Sequence, residues 1–128
     1  MKKMSLLLRI VGAIQVVLGI LYLLLPGVLL ASMGHSIPAP DLQYPLAMLA
    51  SRFIAYGAAL LIIARNPAEH ALWIDIMILI QGIDLAAGVF YTAVGVVDLS
   101  LSAFPMFNAT WIILLLWWWH PKRMGYNL

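Results

Sequence analysis

The chain has 128 residues, of which 65% are hydrophobic and 9% are charged, with a formal net charge of +2 and no cysteine. Soluble domains are about half apolar and about a quarter charged, so this composition predicts an integral membrane protein. The lack of cysteine excludes disulfides, thiolate metal sites and a cysteine nucleophile. The few basic residues lie beside apolar segments, which indicates topology signals and no nucleic-acid partner.

Four apolar segments are each long enough to cross about 30 Å of hydrocarbon, which takes roughly 20 helical residues. They predict an all-α protein, an integral membrane four-helix antiparallel bundle that forms one transmembrane domain over residues 1–128. The predicted helices span about 5–25, 46–64, 71–94 and 101–119. A cleaved signal peptide at the start is a competing interpretation, although the first apolar run is longer than the about 7 to 15 residues of a usual signal core.

The segments between the helices predict where the chain leaves the membrane. Residues 26–45 carry four prolines and two glycines and are expected to form a long outer loop. ARNPAEH, residues 64–70, predicts a tight turn in which Pro67 suits the first turn of the next helix. Ser102 is a candidate cap for the fourth helix.

The basic residues predict the orientation of the bundle. They lie at the two ends of the chain and in the second loop, whereas the first and third loops hold acidic residues. The positive-inside rule then places both termini in the cytoplasm. WWWHPKR, residues 117–123, agrees, because tryptophan rings favour the headgroup layer and cations favour the anionic cytoplasmic face. The six basic residues on this side are Lys2, Lys3, Arg9, Arg65, Lys122 and Arg123.

The first and third helices each carry a stripe of polar and small residues. At about 100° per residue, the members of each stripe fall on one helix face. Such a face is expected to turn toward the bundle interior, where glycines permit close backbone approach and polar groups find partners. The stripes are Gly12, Gln15, Gly19, Tyr22 and Pro26 in the first helix, and Gln81, Asp84, Gly88, Tyr91, Thr92 and Gly95 in the third.

Two charged residues are expected to meet inside the bilayer. At about 1.5 Å per residue, Arg52 in the second helix and Asp84 in the third lie at a similar depth below the outer surface. An unpaired charge near mid-bilayer costs about 2.5 to 3.5 kcal/mol, so we predict that the two side chains pair. The surrounding hydrogen-bonding groups are predicted to be Gln15, Gln81, Tyr56 and Tyr91.

A second ion pair is predicted near the cytoplasmic surface. Arg9 and Asp75 could pair there, or each could extend its side chain to water. Neither pair carries a catalytic signature: the sequence has no nucleophile elbow, P-loop, dinucleotide fingerprint or zinc-protease motif. We therefore assign no catalytic residue and no metal site, and the sequence favours a protein that is not an enzyme.

The chain resembles the DoxX-like group of small bacterial four-helix membrane proteins. The resemblance lies in SRFIAYGAALLIIARNP, residues 51–67, in the polar centre of the third helix and in the short fourth helix ending in WWWHPKR. It implies a location in the bacterial inner membrane. The founding members are similar to subunits of a quinol-oxidising respiratory complex. Related chains often carry basic residues in the third helix, where this chain has Asp75 and Asp84.

Three functions are compatible with these features. The first is a non-catalytic subunit or self-associating component of a membrane assembly, with glycine-rich helix faces as contacts. The second is a binder or carrier of a small amphipathic molecule, a lipid headgroup or a quinone-like ring, in a pocket beside Arg52. The third, implied by the resemblance, is a quinone-linked respiratory subunit. The expected partners are membrane lipids and other membrane subunits or a second copy, and no cofactor is predicted apart from quinone in the third case.

Overall fold

A computed structural model describes residues 1–125, which form helices joined by turns and loops and contain no strand. Five α-helices follow one another along the chain, and short 3₁₀ turns precede two of them. The α-helices are α1 (Lys2–Leu24), α2 (Pro26–Ser32), α3 (Gln43–Ile63), α4 (Ala71–Ala93) and α5 (Leu99–Trp118), and the 3₁₀ turns are Pro40–Leu42 and Pro67–His70.

The four predicted apolar helices correspond to α1, α3, α4 and α5, and each predicted end falls within three residues of the observed one. Within residues 1–125, four helices are long and apolar enough to cross a membrane, with mean hydropathies of 1.7 to 2.3. Three of these spans exceed the roughly 20 residues that a bilayer requires, and the fourth equals it. The fold therefore indicates a small multi-pass membrane protein of all-α class.

The predicted long loop contains an additional helix, α2, which the sequence reasoning missed. Pro26 stands at its first position, where a backbone N–H would have no acceptor within the helix, so the lack of an N–H in proline costs no hydrogen bond. The helix ends at Ser32, and two residues later Gly34 has a φ of 92°, which lies in the left-handed region. There the N–H of His35 bonds to the carbonyl of Leu30 and that of Gly34 to the carbonyl of Ala31, a Schellman motif. No residue of α2 is buried.

The cap of α5 is Asp98 and not Ser102. The Asp98 carboxylate accepts hydrogen bonds from the Ser100 hydroxyl at 2.7 Å and from the Ser100 backbone N–H at 3.2 Å. These bonds satisfy one of the free donors at the helix start and lower the pKa of the exposed Asp98 carboxyl. Ser102 lies one turn inside α5 and is buried.

The chain forms two compact parts. Residues 8–64 make up one part, and residues 1–7 together with 65–125 make up the other. In the first part, α1 and α3 run antiparallel, because Gly12 lies against Gly57 while Gly19 lies against Ala50 and Ile54. In the second part, α4 and α5 run antiparallel.

The α1–α3 contact brings backbone against backbone. A Cβ atom built on Gly12 would lie 2.8 Å from the Gly57 carbonyl oxygen, and one on Gly57 would lie 2.7 Å from the Gly12 carbonyl oxygen. Further along, the rings of Tyr22 and Phe53 stack with centroids 5.6 Å apart. The predicted inward face of α1 is thus confirmed, and it uses small residues as membrane helices commonly do.

The α4–α5 pair is joined by side chains at three levels. Near the end of α4, the hydroxyls of Thr92 and Ser102 are 2.7 Å apart and hydrogen-bonded. One turn further along, a Cβ on Gly88 would lie 2.6 Å from Cγ of Met106. At the opposite end, Asp75 near the start of α4 contacts His120 just after α5, as described below.

Candidate functional site

The predicted polar residues of α1 and α3 differ in exposure. Gln15 is buried, with 4% of its surface exposed, whereas Arg52 is exposed. The Arg52 guanidinium donates one hydrogen bond, from Nη1 to the Met48 carbonyl oxygen at 2.8 Å on its own helix. Tyr56, one turn further along, is half-buried. A guanidinium has five N–H donors, so Arg52 keeps donors to offer to a further acceptor.

The predicted polar residues of α4 do not share one environment. Gln81 is buried and its Nε2 lies 3.5 Å from the Met77 sulfur, a weak acceptor on the preceding turn. Asp84 is exposed, and the exposed Tyr91 packs edge-to-face against Phe90 with ring centroids 5.2 Å apart. The stripe therefore divides into a buried side and an exposed side that holds the carboxylate.

Arg52 lies in the first compact part and Asp84 in the second. Their pairing therefore stays a prediction, as does the pairing of Arg9 with Asp75. Within the second part, Asp75 has a partner that was not predicted from the sequence. The Asp75 carboxylate oxygen lies 2.8 Å from Nε2 of His120, which belongs to the WWWHPKR segment.

The environment of His120 determines its tautomer. Its Nδ1 accepts a hydrogen bond from the backbone N–H of Lys122 at 3.2 Å, so the ring proton belongs on Nε2, which faces Asp75. This Nε2 is buried, and its N–H is not aligned with the oxygen, so the contact is a close polar one without linear hydrogen-bond geometry. One ring nitrogen thus accepts a backbone hydrogen bond and the other lies against the carboxylate, and His120 is 7% exposed. The contact holds the segment that follows α5 against α4, and we call this Asp75–His120 pair the clamp.

A group of cations and indole rings lies next to His120 in the sequence, and we call it the basic–aromatic end. The guanidinium carbon of Arg123 lies 4.0 Å from the ring centroid of Trp117 and 5.4 Å from that of Trp118. The Lys3 ammonium lies 5.9 Å from the ring centroid of Trp119. Arg123 reaches back over α5 because the chain turns after Trp118, with the N–H of Met124 bonded to the His120 carbonyl. These are distances at which a cation is attracted to the face of an aromatic ring.

A cleft of about 530 Å³ opens between the first turn of α1 and the end of α5. Both elements belong to the same compact part. The walls are methionine and tryptophan side chains, and the two lysines at the start of α1 add ammonium groups. The lining residues are residues 1–4, Trp118, Trp119 and Met124.

The glycine-rich helix faces that were expected to serve as contacts with other chains comprise six glycines, and four of them pack inside the chain. Three contact residues across the α1–α3 pair, and the fourth contacts Met106. A Cβ on either of the other two would meet nothing within 4 Å. The packed glycines are Gly12, Gly19, Gly57 and Gly88, and the open ones are Gly82 and Gly95.

Among residues 1–125, no group of three or more histidine and acidic side chains is placed to hold a metal ion. The chain matches no protein-family model, no curated protein and no solved structure. The resemblance to the DoxX-like group therefore stays a prediction from the residues quoted above.

Proposed function

We propose that this multi-pass protein resides in the bacterial inner membrane with both termini in the cytoplasm and acts as a non-catalytic component of a membrane assembly, as a subunit or by self-association. The observation that carries the proposal is the basic–aromatic end. The indole rings lie beside the cations of Lys3 and Arg123. This arrangement suits the headgroup layer of an anionic leaflet, where indole rings favour the interface and cations favour the phosphate groups. This supports a cytoplasmic location for that end.

The orientation can be tested with single cysteines, because the natural chain has none and gives no background labelling. Ser36→Cys and Asn66→Cys both introduce the thiol at an exposed position, on opposite sides of the predicted membrane. A membrane-impermeant maleimide applied to spheroplasts should label the cysteine at 36, and should label that at 66 only after permeabilisation. The reverse pattern would refute the orientation.

The role in an assembly is supported by exposed charges within apolar spans. Arg52 and Asp84 are both exposed, and a charge near the bilayer centre costs about 2.5 to 3.5 kcal/mol unless it is paired. In our proposal the two charges pair with each other, and the donors that remain on Arg52 face a partner chain.

The pairing is tested by comparing single and double substitutions. Arg52→Ala leaves the carboxylate of Asp84 without its counter-ion and should lower stability, whereas Arg52→Met combined with Asp84→Leu removes both charges and should be milder. Stability is measured as the midpoint of unfolding in a mixed-micelle SDS titration. If Arg52→Ala has the same midpoint as the parent, the pairing is wrong. If the double variant is stable but loses a co-purifying chain, the pair is part of the contact.

A second candidate function is a binder of a small amphipathic molecule, either a lipid headgroup or a quinone-like ring. It is favoured by the Arg52 guanidinium, which uses one donor on the Met48 carbonyl and is exposed. A pull-down from native membranes with mass spectrometry separates the two functions. Partner chains at fixed stoichiometry support the subunit, whereas a co-purifying small molecule that raises the unfolding temperature and depends on Arg52 supports the binder.

A further inference from the structure

We propose that the cleft at the basic–aromatic end binds an acidic phospholipid, with the phosphate held by Lys2 and Lys3 and the glycerol and upper acyl chains against the methionine and tryptophan walls. This site goes beyond the function proposed above. It lies entirely within one compact part of the chain, apart from Arg52 and Asp84.

The first argument is the size and position of the cleft. Its volume of about 530 Å³ lies within the roughly 300 to 1,000 Å³ typical of small-ligand sites. Its walls include Trp118 and Trp119 at the end of a membrane-spanning helix, which is where indole rings meet the headgroup layer. A lipid in the headgroup layer would therefore lie at the level of this cleft.

The second argument is charge. Lys2 and Lys3 are exposed, and no carboxylate of residues 1–7 or 65–125 lies within 4 Å of either ammonium. Asp75, the acidic residue of the clamp, lies against His120. The ammonium groups are thus available to a phosphate, and a lipid of net negative charge is favoured over a zwitterionic one.

The third argument distinguishes a lipid from a free phosphate. A fully hydrated phosphate would gain the lysines but would lose water against walls made largely of Met4, Met124 and the two indole rings. A phospholipid places apolar atoms against those walls and only its phosphate beside the ammonium groups. The lining therefore selects an amphipathic anion.

The test uses the full chain in non-ionic detergent, titrated with phosphatidylglycerol, phosphatidylcholine or glycerol 3-phosphate, with bound molecules counted by native mass spectrometry. Phosphatidylglycerol should bind about 25-fold more tightly than phosphatidylcholine, given about 1 kcal/mol for each of two lysines near an anionic lipid. Lys3→Gln should weaken that binding about fivefold, and Lys2→Gln with Lys3→Gln about 25-fold. Lys3→Arg should retain it.

Arg65→Gln is the matched control, because it removes one exposed positive charge from the same compact part without altering the cleft lining. It should leave phosphatidylglycerol binding unchanged. Equal weakening by Arg65→Gln and Lys3→Gln would overturn the proposal in favour of diffuse surface attraction. Equal binding of phosphatidylcholine would overturn it as well, and so would displacement of the lipid by an equal concentration of glycerol 3-phosphate. Unchanged circular dichroism and unfolding temperature of lipid-free Lys3→Gln would confirm that any loss is local.

Discussion

The close approach of α1 to α3 makes a specific prediction about adding a single methyl group. Gly12→Ala inserts a Cβ atom 2.8 Å from the Gly57 carbonyl oxygen, where ordinary contact begins near 3.4 Å. The helices must therefore separate locally by about 0.6 Å, because the obstructing atom is backbone and no side-chain rotation can relieve the clash. The same methyl group on Gly82 would meet nothing within 4 Å.

The two substitutions should change stability in opposite directions. Overpacking in a close-packed contact costs about 1 to 3 kcal/mol, and alanine recovers at most about 1 kcal/mol of helix propensity over glycine. We therefore expect Gly12→Ala to lower the free energy of unfolding by about 1 to 2 kcal/mol. Gly82→Ala should raise it by about 0.5 to 1 kcal/mol, because it brings the propensity gain without the clash.

Gly57→Ala and Gly88→Ala test whether the cost of an added methyl group depends on meeting backbone or side-chain atoms. Gly57→Ala should cost about as much as Gly12→Ala, because its Cβ would meet the Gly12 carbonyl oxygen at 2.7 Å. Combined with Gly12→Ala it should cost less than the sum, since helices already separated need not move again. Gly88→Ala should be milder, because its Cβ would meet only the side chain of Met106, which can adjust.

The assay is unfolding of each purified variant in a fixed micelle composition with increasing SDS, followed by helical circular dichroism. The order of midpoints should be Gly82→Ala above the parent, then Gly88→Ala, with Gly12→Ala and Gly57→Ala lowest. Equal midpoints for Gly12→Ala and Gly82→Ala would refute the close α1–α3 contact. A fully additive double variant would show that the two glycines do not touch.

The remaining expectations concern polar contacts and use the same unfolding assay. Asp75→Ala should destabilise the protein by about 1 kcal/mol, because it leaves the buried Nε2 of His120 without its neighbour. The cost stays small because the Asp75 carboxylate is half-exposed. An unchanged midpoint would disprove the clamp. Ser102→Ala removes the hydroxyl that bonds to Thr92 and should cost about 0.6 kcal/mol, the average for hydrogen bonds between membrane helices, so a gain in stability would contradict that role. The pKa of Asp98 is lowered by folding, so its contribution is present above the ordinary carboxyl range and is lost as pH falls through the lowered value. Asp98→Asn keeps the cap and should reduce the fall in stability between about pH 7 and about pH 3; identical pH profiles would argue against this cap.

The sequence was sufficient for the four apolar helices because length and composition determine what can cross a bilayer. It was also sufficient for the inward face of α1, since small residues at 12 and 19 repeat on one side of the helix. The partner of that face was not predictable, because many small residues in three other helices could have served. The structure identifies Gly57, Ala50 and Ile54 as the residues that this face contacts.

The helix α2 and the contact of Asp75 with His120 were not predicted, for different reasons. The helix α2 lies in a proline-rich segment, and prolines near each other indicate a loop more strongly than Pro26 alone indicates a helix start. The contact of Asp75 with His120 depends on the register of α4 against α5, which one sequence does not state. A signal was present, since Asp75 follows the start of one helix and His120 follows the end of its antiparallel neighbour.

The two helix pairs address one physical problem in different ways. Lipid tails are as apolar as leucine, so burial of apolar area does little to hold helices together inside a bilayer. In the first part, α1 and α3 gain dispersion contacts by direct backbone approach at Gly12 and Gly57. In the second, α4 and α5 rely on polar contacts near both ends, between Thr92 and Ser102 and between Asp75 and the clamped histidine.

This difference determines where each pair can be altered by its surroundings. A backbone contact carries no charge, so salt, pH and lipid headgroups have little influence on the α1–α3 pair. The second pair leads into the basic–aromatic end. There His120 accepts a hydrogen bond from the backbone of Lys122 and so positions the turn that brings Arg123 over Trp117. An anionic lipid in the adjoining cleft would therefore act on the first turn of α1 and on the end of α5, and the lipid dependence of stability should be carried by these residues and not by the Gly12–Gly57 contact.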